Sequence, residues 1–588
     1  MKNDPFRRGN VIMIGFMVLA LAIVGRMIAI QTSVSAQAID EIGKQNSYVY
    51  KKIQPERGNI YDRWGHLLAG NTEVYEVNVD TRYVRNADTI ASTAASMLDL
   101  DYDKVYFNIT GTEENPPANT VFLKSYVSAD TINQIAERKA KYAENYKDSS
   151  SPSLQGLVWK PYLIRSYPEK SLASNILGFY KFRDLDKGAG FFGVEEKYND
   201  LLSGTEMTVL VPRDPYEAEK LPDAAPGASL VLTIDREIQA MAEKEADKAM
   251  ADTGAKSATI IIADPETGEL LAIANTPRMD LNQYWNADQV YQSALDFDRA
   301  ISTTYEPGSV FKVITMASAL DAGVVTPTTS FLDTGVINVG GVNFNNWDGG
   351  AWGPQDMTGC MRHSLNVCLS WVAVQLGPSK FYEYLDRFGI GHRTNVDLSG
   401  ESLYPLALPG DDNWYLPNLA ANSFGQALAV TPMQMIMAIS AVANDGKMMP
   451  PHVLKAVIDD GRQYNNNPQM VGMPISEKTA DTLTLMLEDS LVQESSSALV
   501  EGYRVAGKTG TAEIPTEYGY TSSSTNASFV GWGPVSDPKF IIYIWLEEPQ
   551  SDIWGSVVAA PVFSEVASKL VVLMNLPPDA GQQELAGQ

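Results

Sequence analysis

The chain is poor in the side chains that bind metals: two cysteines and four histidines in 588 residues. No H-E-x-x-H and no paired C-x-x-C occurs, so a protein-held metal centre is not expected. Positive charge is scarce as well. Lys and Arg total 45 against 71 Asp and Glu, a net charge of −26. That balance excludes the basic stripe that nucleic-acid binding requires. No internal repeat is present, and no second apolar run of spanning length is expected beyond the N-terminal one. What is left is an ordinary globular balance, 45% hydrophobic and 20% charged. Its length calls for two or three domains.

The N-terminus carries the one long apolar run. Lys2, Arg7 and Arg8 precede Val11–Gly25; Arg26 interrupts the run and Met27–Ile30 resumes it. Together these reach the ~20 residues of a spanning helix. Arg26 falls near one end, where its long stem can snorkel. The basic flank predicts a cytoplasmic N-terminus, a single pass, and the bulk of the chain outside the cytoplasm. Ala36-Gln37-Ala38 has the form of a signal-peptidase box, but it lies far beyond the apolar core, so an uncleaved anchor is expected. Cys360 and Cys368 then face an oxidising space. On one continuous helix they would sit ~12 Å apart, too far to bridge. The pair reads as two buried small side chains, with a disulfide across a helix break as the alternative.

Beyond the anchor, Thr32 to about Arg85 reads as linker and extended segments. Helical patterns and a polar loop at 145–153 mark an inserted subdomain at about 86–160. Pro212-Arg213-Asp214-Pro215 and the stretch 222–227 mark a hinge. From Leu230 the pattern changes. Asp235 caps an amphipathic helix bearing Ile238, Met241, Ala242 and Ala246. Apolar strands at 258–263 and 270–274 flank the hairpin signal Asp264-Pro265-Glu266-Thr267-Gly268. A long helical middle follows, then strand-like runs around 503–511, 528–535 and 540–546, and a final helix from Pro561 to Leu576. This is an α+β plan.

Three short motifs carry chemistry. In Tyr305-Glu306-Pro307-Gly308-Ser309-Val310-Phe311-Lys312, Pro-Gly breaks the chain before an apolar helical run. Ser309 then sits at a helix start, where free N–H groups favour developing negative charge. Lys312 shares its face, and a neutral lysine there can take the serine proton. Ser364-Leu365-Asn366 offers a hydroxyl and an amide two residues apart. Lys508-Thr509-Gly510-Thr511 places hydroxyls and a cation on a strand, with Gly where a ligand approaches closely. Each spelling is weak alone. Ser536-Asp537-Pro538-Lys539 repeats the first and Ser524-Thr525-Asn526 the second. Only the Ser309 set falls in the order S-x-x-K, S-x-N, K-T-G, the set described for β-lactamases and penicillin-binding proteins. Leu365 stands where the middle motif is often written with Asp.

With these residues in place, the chain resembles the class B penicillin-binding proteins over nearly its whole length. Arg57-Gly58 through Asp62-Arg63-x-Gly65 looks like that family's membrane-proximal signature. Arg165-x-Tyr167-Pro168 with Gly178, and Gly193-Val194-Glu195 with Tyr198, Leu202 and Gly204, look like its later pedestal motifs. Ser423-Phe424-Gly425-Gln426 with Thr431-Pro432 and Gln434 resembles its segment after S-x-N. The resemblance implies a cytoplasmic tail (1–9), a transmembrane anchor (10–31), a pedestal (32–229), a transpeptidase domain (230–577) and a C-terminal tail (578–588). The transpeptidase domain would be a five-stranded antiparallel sheet flanked by helices.

It also implies roles. Ser309 would be the nucleophile, Lys312 its base, Ser364 a proton shuttle, and Asn366 a ligand of the donor peptide. Lys508, Thr509, Gly510 and Thr511 would hold its terminal carboxylate, and the N–H groups of Ser309 and Thr511 would form the oxyanion hole. The reaction would be cross-linking of peptidoglycan stem peptides, trapped by β-lactams, with no cofactor. An obvious glycosyltransferase segment is missing, so glycan polymerisation would fall to a SEDS-family glycosyltransferase among the divisome or elongasome membrane proteins. Ala559-Ala560-Pro561-Val562-Phe563 and Gly502-Tyr503-Arg504-Val505-Ala506-Gly507 resemble the division-type branch more closely. A carboxypeptidase or β-lactamase on the same fold, or a non-enzymatic scaffold for the polymerase, are the alternatives.

Overall fold

The computed structural model describes residues 5–33, 48–112, 114–184, 187–212, 222–516 and 519–579. The first four residues, the expected cleavage box at 36–38, residues 213–221 of the expected hinge and residues 580–588 of the expected tail lie outside them. The chain forms two compact units, residues 1–56 with 203–227, and residues 57–202 with 228–588.

In the first unit Pro5–Gln31 is one continuous helix. Its stretch Asn10–Gln31 has a mean hydropathy of 2.5 and no buried surface, the character a spanning segment needs. Tyr48–Ile53 pairs antiparallel with Met207–Pro212.

The second unit is organised by two sheets. The five-stranded antiparallel sheet runs in the order Leu270–Asn275, Ser257–Ala263, Phe540–Glu547, Gly519–Gly533, Ala506–Thr516. Its strands at 257–263 and 270–275 are buried on both faces, which is why they read as unbroken apolar runs. Ile260 and Ile262 face one core, where Ile238, Ala242 and Ala246 of the Asp235-capped helix meet Phe563, Val566 and Leu570. Ile261 and Ala263 face the other core, beneath Val310, Phe311 and Ile314. Each Ile, Val, Leu or Phe side chain among them contributes roughly 1.5–3 kcal/mol by leaving water. The sheet thus fixes the backbone of the Ser309 segment against a close-packed floor.

Two sequence expectations need correction. A second apolar stretch of spanning length does exist, Gly555–Leu573, with a mean hydropathy of 1.6. It is 44% buried, and its apolar face packs into the core just described. The middle of the domain is also less helical than its pattern suggested. Phe331–Asp333 pairs with Gly353–Gln355, Val336–Val339 with Val342–Asn345, and Leu454–Asp459 with Arg462–Asn465. These strands are three to six residues long and largely exposed, so they carry little apolar periodicity.

The second sheet joins the motifs near the N-terminus to the C-terminal half. Its order is Arg462–Asn465, Leu454–Asp459, Ser229–Leu232, Ile60–Tyr61, Leu67–Asp80, Thr120–Ser128, with Leu157–Ser166 also paired to Leu67–Asp80. A separate core, including Val77, Ile90, Val105, Ile132 and Leu157, lies on the outer part of this sheet. The scattered signature residues converge on one carboxylate. Glu195 is fully buried and receives Arg57 Nε at 2.7 Å and Arg165 Nε at 2.7 Å. Arg165 Nη1 also donates to Gly58 O, and the Arg57 guanidinium lies 4.6 Å from the Tyr180 ring centre. Burial alone would raise the Glu195 pKa; the two guanidinium groups outweigh it and hold the carboxyl below its ordinary range. Asp62 closes the neighbouring turn, accepting from the Trp64 and His66 N–H groups, both at 2.8 Å.

Removing one partner of a buried ion network strands the others. Glu195→Gln is therefore expected to destabilise the protein by about 3 kcal/mol or more, measured as a lowered denaturant midpoint. An unchanged midpoint would show that the arginines are satisfied without it.

Candidate active site

Ser309 lies in a 3-10 turn, Gly308–Phe311, that runs directly into the helix Lys312–Asp321. The turn is wedged between two backbones. Gly308 has φ +59°, and a Cβ there would lie 2.6 Å from Thr511 O. Gly425, at φ +81°, takes the Gly308 N–H on its carbonyl at 3.0 Å, and a Cβ on it would strike Gly308 O at 2.2 Å. Only glycine fits such approaches at positive φ. The Ser423-Phe424-Gly425 segment also accepts the Thr315 hydroxyl, on Ser423 O at 2.7 Å. That segment is thus the second wall of the serine's turn.

One helical turn on, Lys312 is fully buried. Its Nζ donates to Ser364 O at 2.6 Å and Asn366 Oδ1 at 2.7 Å, and lies 3.2 Å from Ser364 Oγ. Desolvation first, and the Lys508 charge second, hold its pKa well below the ordinary lysine range. A neutral amine has two N–H bonds and one lone pair. With both N–H bonds given to carbonyl-type oxygens, the lone pair is free to accept a hydroxyl proton. Ser309 Oγ makes no hydrogen bond among the described residues, so it is uncommitted. Such contacts commonly tighten only when substrate arrives.

The acceptors of Lys312 are presented by a break between the helices Met357–Arg362 and Asn366–Leu376. Ser364 turns the chain with φ +54°. Cys360 on the first helix and Cys368 on the second lie 6.0 Å apart between Cα atoms and form a disulfide. This overturns the reading of two free small side chains. The ~12 Å spacing of a continuous helix does not apply, because the chain doubles back between them. Leu365 is fully buried in the core, which accounts for an apolar residue at the centre of this motif.

The third side is the edge strand Ala506–Thr516. Lys508 is 5% exposed, and its closest hydrogen-bond acceptors, Thr509 O and Oγ1, are 3.4 Å away. Desolvation lowers its pKa to about 8, with Glu494 acting in the opposite sense. It is a buried cation still short of an anion. The Gly510 backbone backs onto the serine turn, 2.9 Å from Val310 Cγ1 for a notional Cβ. Thr511 Oγ1 accepts the Gly555 N–H at 2.9 Å.

Ser309, Ser364, Asn366, Lys508, Thr509 and Thr511 line one cleft of about 870 Å³. The other two spellings go elsewhere. Ser536 contacts Asp579, and Lys539 pairs with Asp537 at 2.8 Å. Asn526 is buried, accepting from Trp545 Nε1. The sequence reading missed the aromatic wall. Trp347 meets Trp554 edge-on at 5.3 Å, and Trp352 stacks on His363, which pairs with Glu494. Three of these cleft residues come from loops without periodicity; the two tryptophans in Asn346-Trp347-Asp348-Gly349-Gly350-Ala351-Trp352 were the only available signal.

Comparison with known proteins places the chain in a family. Residues 258–568 match the penicillin binding protein transpeptidase domain, and residues 52–220 match the penicillin-binding protein dimerisation domain. The chain is 30% identical to stage V sporulation protein D of Bacillus subtilis, covering 99% of this chain and 88% of that protein. It is 28% identical to the peptidoglycan D,D-transpeptidase FtsI of Escherichia coli, covering 96% and 92%. It is similar in structure to penicillin-binding protein 3 of Mycobacterium tuberculosis complexed with aztreonam, with a TM-score of 0.67 and 25% identity over 90% of this chain and 98% of that one.

Two outcomes follow from the site. Lys508 is cationic below its pKa of about 8, so kcat/KM for a carboxylate-bearing donor is expected to fall as pH rises through that value. In Lys508→Arg, whose guanidinium stays charged, the fall should move to higher pH; an identical profile would assign the limb to another group. Replacing both Cys360 and Cys368 by Ser is expected to cost about 2–3 kcal/mol of stability. It should also slow penicillin acylation, by loosening the acceptors of Lys312. Acylation at the wild-type rate would show that packing alone holds them.

Proposed function

Because the chain belongs to the penicillin-binding proteins, in the class B order of a dimerisation domain ahead of a transpeptidase domain, we propose that it works as a serine-type D-Ala–D-Ala transpeptidase through Ser309. The observation that carries this reading is the fully buried Lys312 amine, held by Ser364 and Asn366 one turn from the serine. It supplies what an alcohol nucleophile needs at neutral pH, an uncharged base in a dry site.

In this mechanism the donor stem peptide lies in the cleft with its terminal carboxylate on Lys508, Thr509 and Thr511. Gly510 keeps the strand close to the serine turn. Ser309 Oγ attacks the carbonyl of the D-Ala–D-Ala bond as its proton passes to Lys312. The N–H groups of Ser309 and Thr511 stabilise the oxyanion. The proton returns through Ser364 to the departing D-Ala amine, and Asn366 steadies the peptide. An amine of a neighbouring stem peptide then displaces Ser309 from the ester and completes the cross-link. A β-lactam enters by the same attack and stays on Ser309 as a stable acyl-enzyme.

We assign a pedestal to 32–229 and a transpeptidase domain to 230–577; the matched regions 52–220 and 258–568 support this division. We assign the Asn10–Gln31 stretch to a single membrane pass with the N-terminus in the cytoplasm, on its length, apolarity and basic flank. The pedestal motifs support docking to a SEDS-family glycosyltransferase. Relatedness to FtsI supports a septal address. Co-purification with one such polymerase tests both assignments.

Full-length protein incubated with benzylpenicillin is expected to carry one penicilloyl group on Ser309, detected by mass spectrometry and absent in Ser309→Ala. Folded wild-type protein that takes up no label would sink the transpeptidase reading.

A further inference from the structure

The mechanism leaves one charged side chain of the cleft without a task. Two carboxylates line the cleft among the described residues, Glu494 and Glu513. Glu494 is committed to His363 at 2.9 Å. Glu513 has no hydrogen bond or ion pair among the described residues. The cleft has to admit a carboxylate-bearing donor, on a chain whose net charge is already −26. An anion without a partner among the described residues opposes substrate entry unless the substrate brings a cation to meet it.

The position of Glu513 says which part of the substrate that is. Alternate residues of a strand share a side, so Thr509, Thr511 and Glu513 form one row along the strand Ala506–Thr516. That strand is the edge of its sheet, paired only with Gly519–Gly533 within it. Gly308 packs against the Thr511 backbone, which sets Ser309 abreast of Thr511. Lys508 lies on one side of that point and Glu513 on the other. A donor peptide with its carboxylate at the Lys508 end, lying extended along the edge, runs past Ser309 toward Glu513. Two residues of strand span about 7 Å, which brings Glu513 beside the side chain just upstream of the D-Ala–D-Ala unit. The far end of the row is held in place. Glu513 stands opposite Thr525 in the register, whose hydroxyl donates to Ile553 O at 3.0 Å, and Trp554 continues the wall.

The geometry points to Glu513 as the residue that recognises a side-chain ammonium on the donor stem peptide, at the position preceding D-Ala–D-Ala. This rests on the transpeptidase reading, in which the donor carboxylate sits at Lys508. Glu513 makes the cleft selective for a diamino acid with a free amine, and Trp554 offers an aromatic surface beside that cation.

The test uses the full-length protein and two donors, Nα-acetyl-L-Lys-D-Ala-D-Ala with its side-chain amine either free or acetylated. D-Ala release is measured for both in wild type, Glu513→Gln and Glu513→Lys. The free amine is expected to be favoured by up to about fivefold in wild type, the upper range of a solvent-accessible ion pair. That preference should vanish in Glu513→Gln and reverse in Glu513→Lys. Because the readout is a ratio within each variant, partial loss of folding does not imitate it. A Glu513→Gln enzyme with the wild-type ratio overturns the assignment. So does an effect of Glu513→Gln confined to the split between hydrolysis and transfer to an added amine, which would place the residue on the acceptor side. Failure of the underlying reading looks different: wild type would then release D-Ala from neither donor and take no penicilloyl group on Ser309.

Discussion

A primary amine sealed from water is stable only if it is neutral or fully paired. Lys312 is surrounded by oxygens of Ser364 and Asn366, and no carboxylate forms an ion pair with it among the described residues. Neutrality is therefore the state its surroundings favour, and Lys508 nearby reinforces it by repulsion. Much of the catalytic region serves to keep this arrangement. The buried sheet supplies the dry floor, Gly308 and Gly425 allow the serine turn to press against its neighbours, and the helix break at Ser364 turns oxygens toward the amine. Serine chemistry here is a consequence of where one nitrogen is stored.

A second buried charge organises the region around the early motifs. Glu195 gathers Arg57 and Arg165 from segments far apart in the chain. Paired charges of this kind add little net stability over an apolar core, whereas removing one partner strands the others. The same region enters the seven-stranded sheet, where Ile60–Tyr61 runs parallel to Ser229–Leu232 and that strand pairs with Leu454–Asp459. The two matched sequence regions are thus joined through this sheet, and also through side chains, Arg63 of the first pairing with Glu269 of the second at 3.0 Å.

The sequence was legible where chemistry and periodicity coincide. Asp235 as a helix cap, the apolar strands at 258–263 and 270–274, and the order Ser309, Ser364, Lys508 could all be read from the sequence. Short exposed strands at 331–355 could not, since a three-residue strand has no period to detect. The Cys360–Cys368 pair was misjudged for a related reason: the φ +54° turn at Ser364 is set by tertiary packing, and nothing in Arg362-His363-Ser364-Leu365 announces it. Glu513 and the tryptophan wall matter through the neighbours that the fold brings to them, which local sequence does not record.

The cysteines also bear on how the protein matures. Two cysteines admit a single intramolecular pairing, whereas four would admit three. The partners are eight residues apart, so closure waits on no distant segment. In an oxidising compartment this bond has no wrong intramolecular partner to choose. The site can be locked once, without the reshuffling that a cysteine-rich domain must undergo.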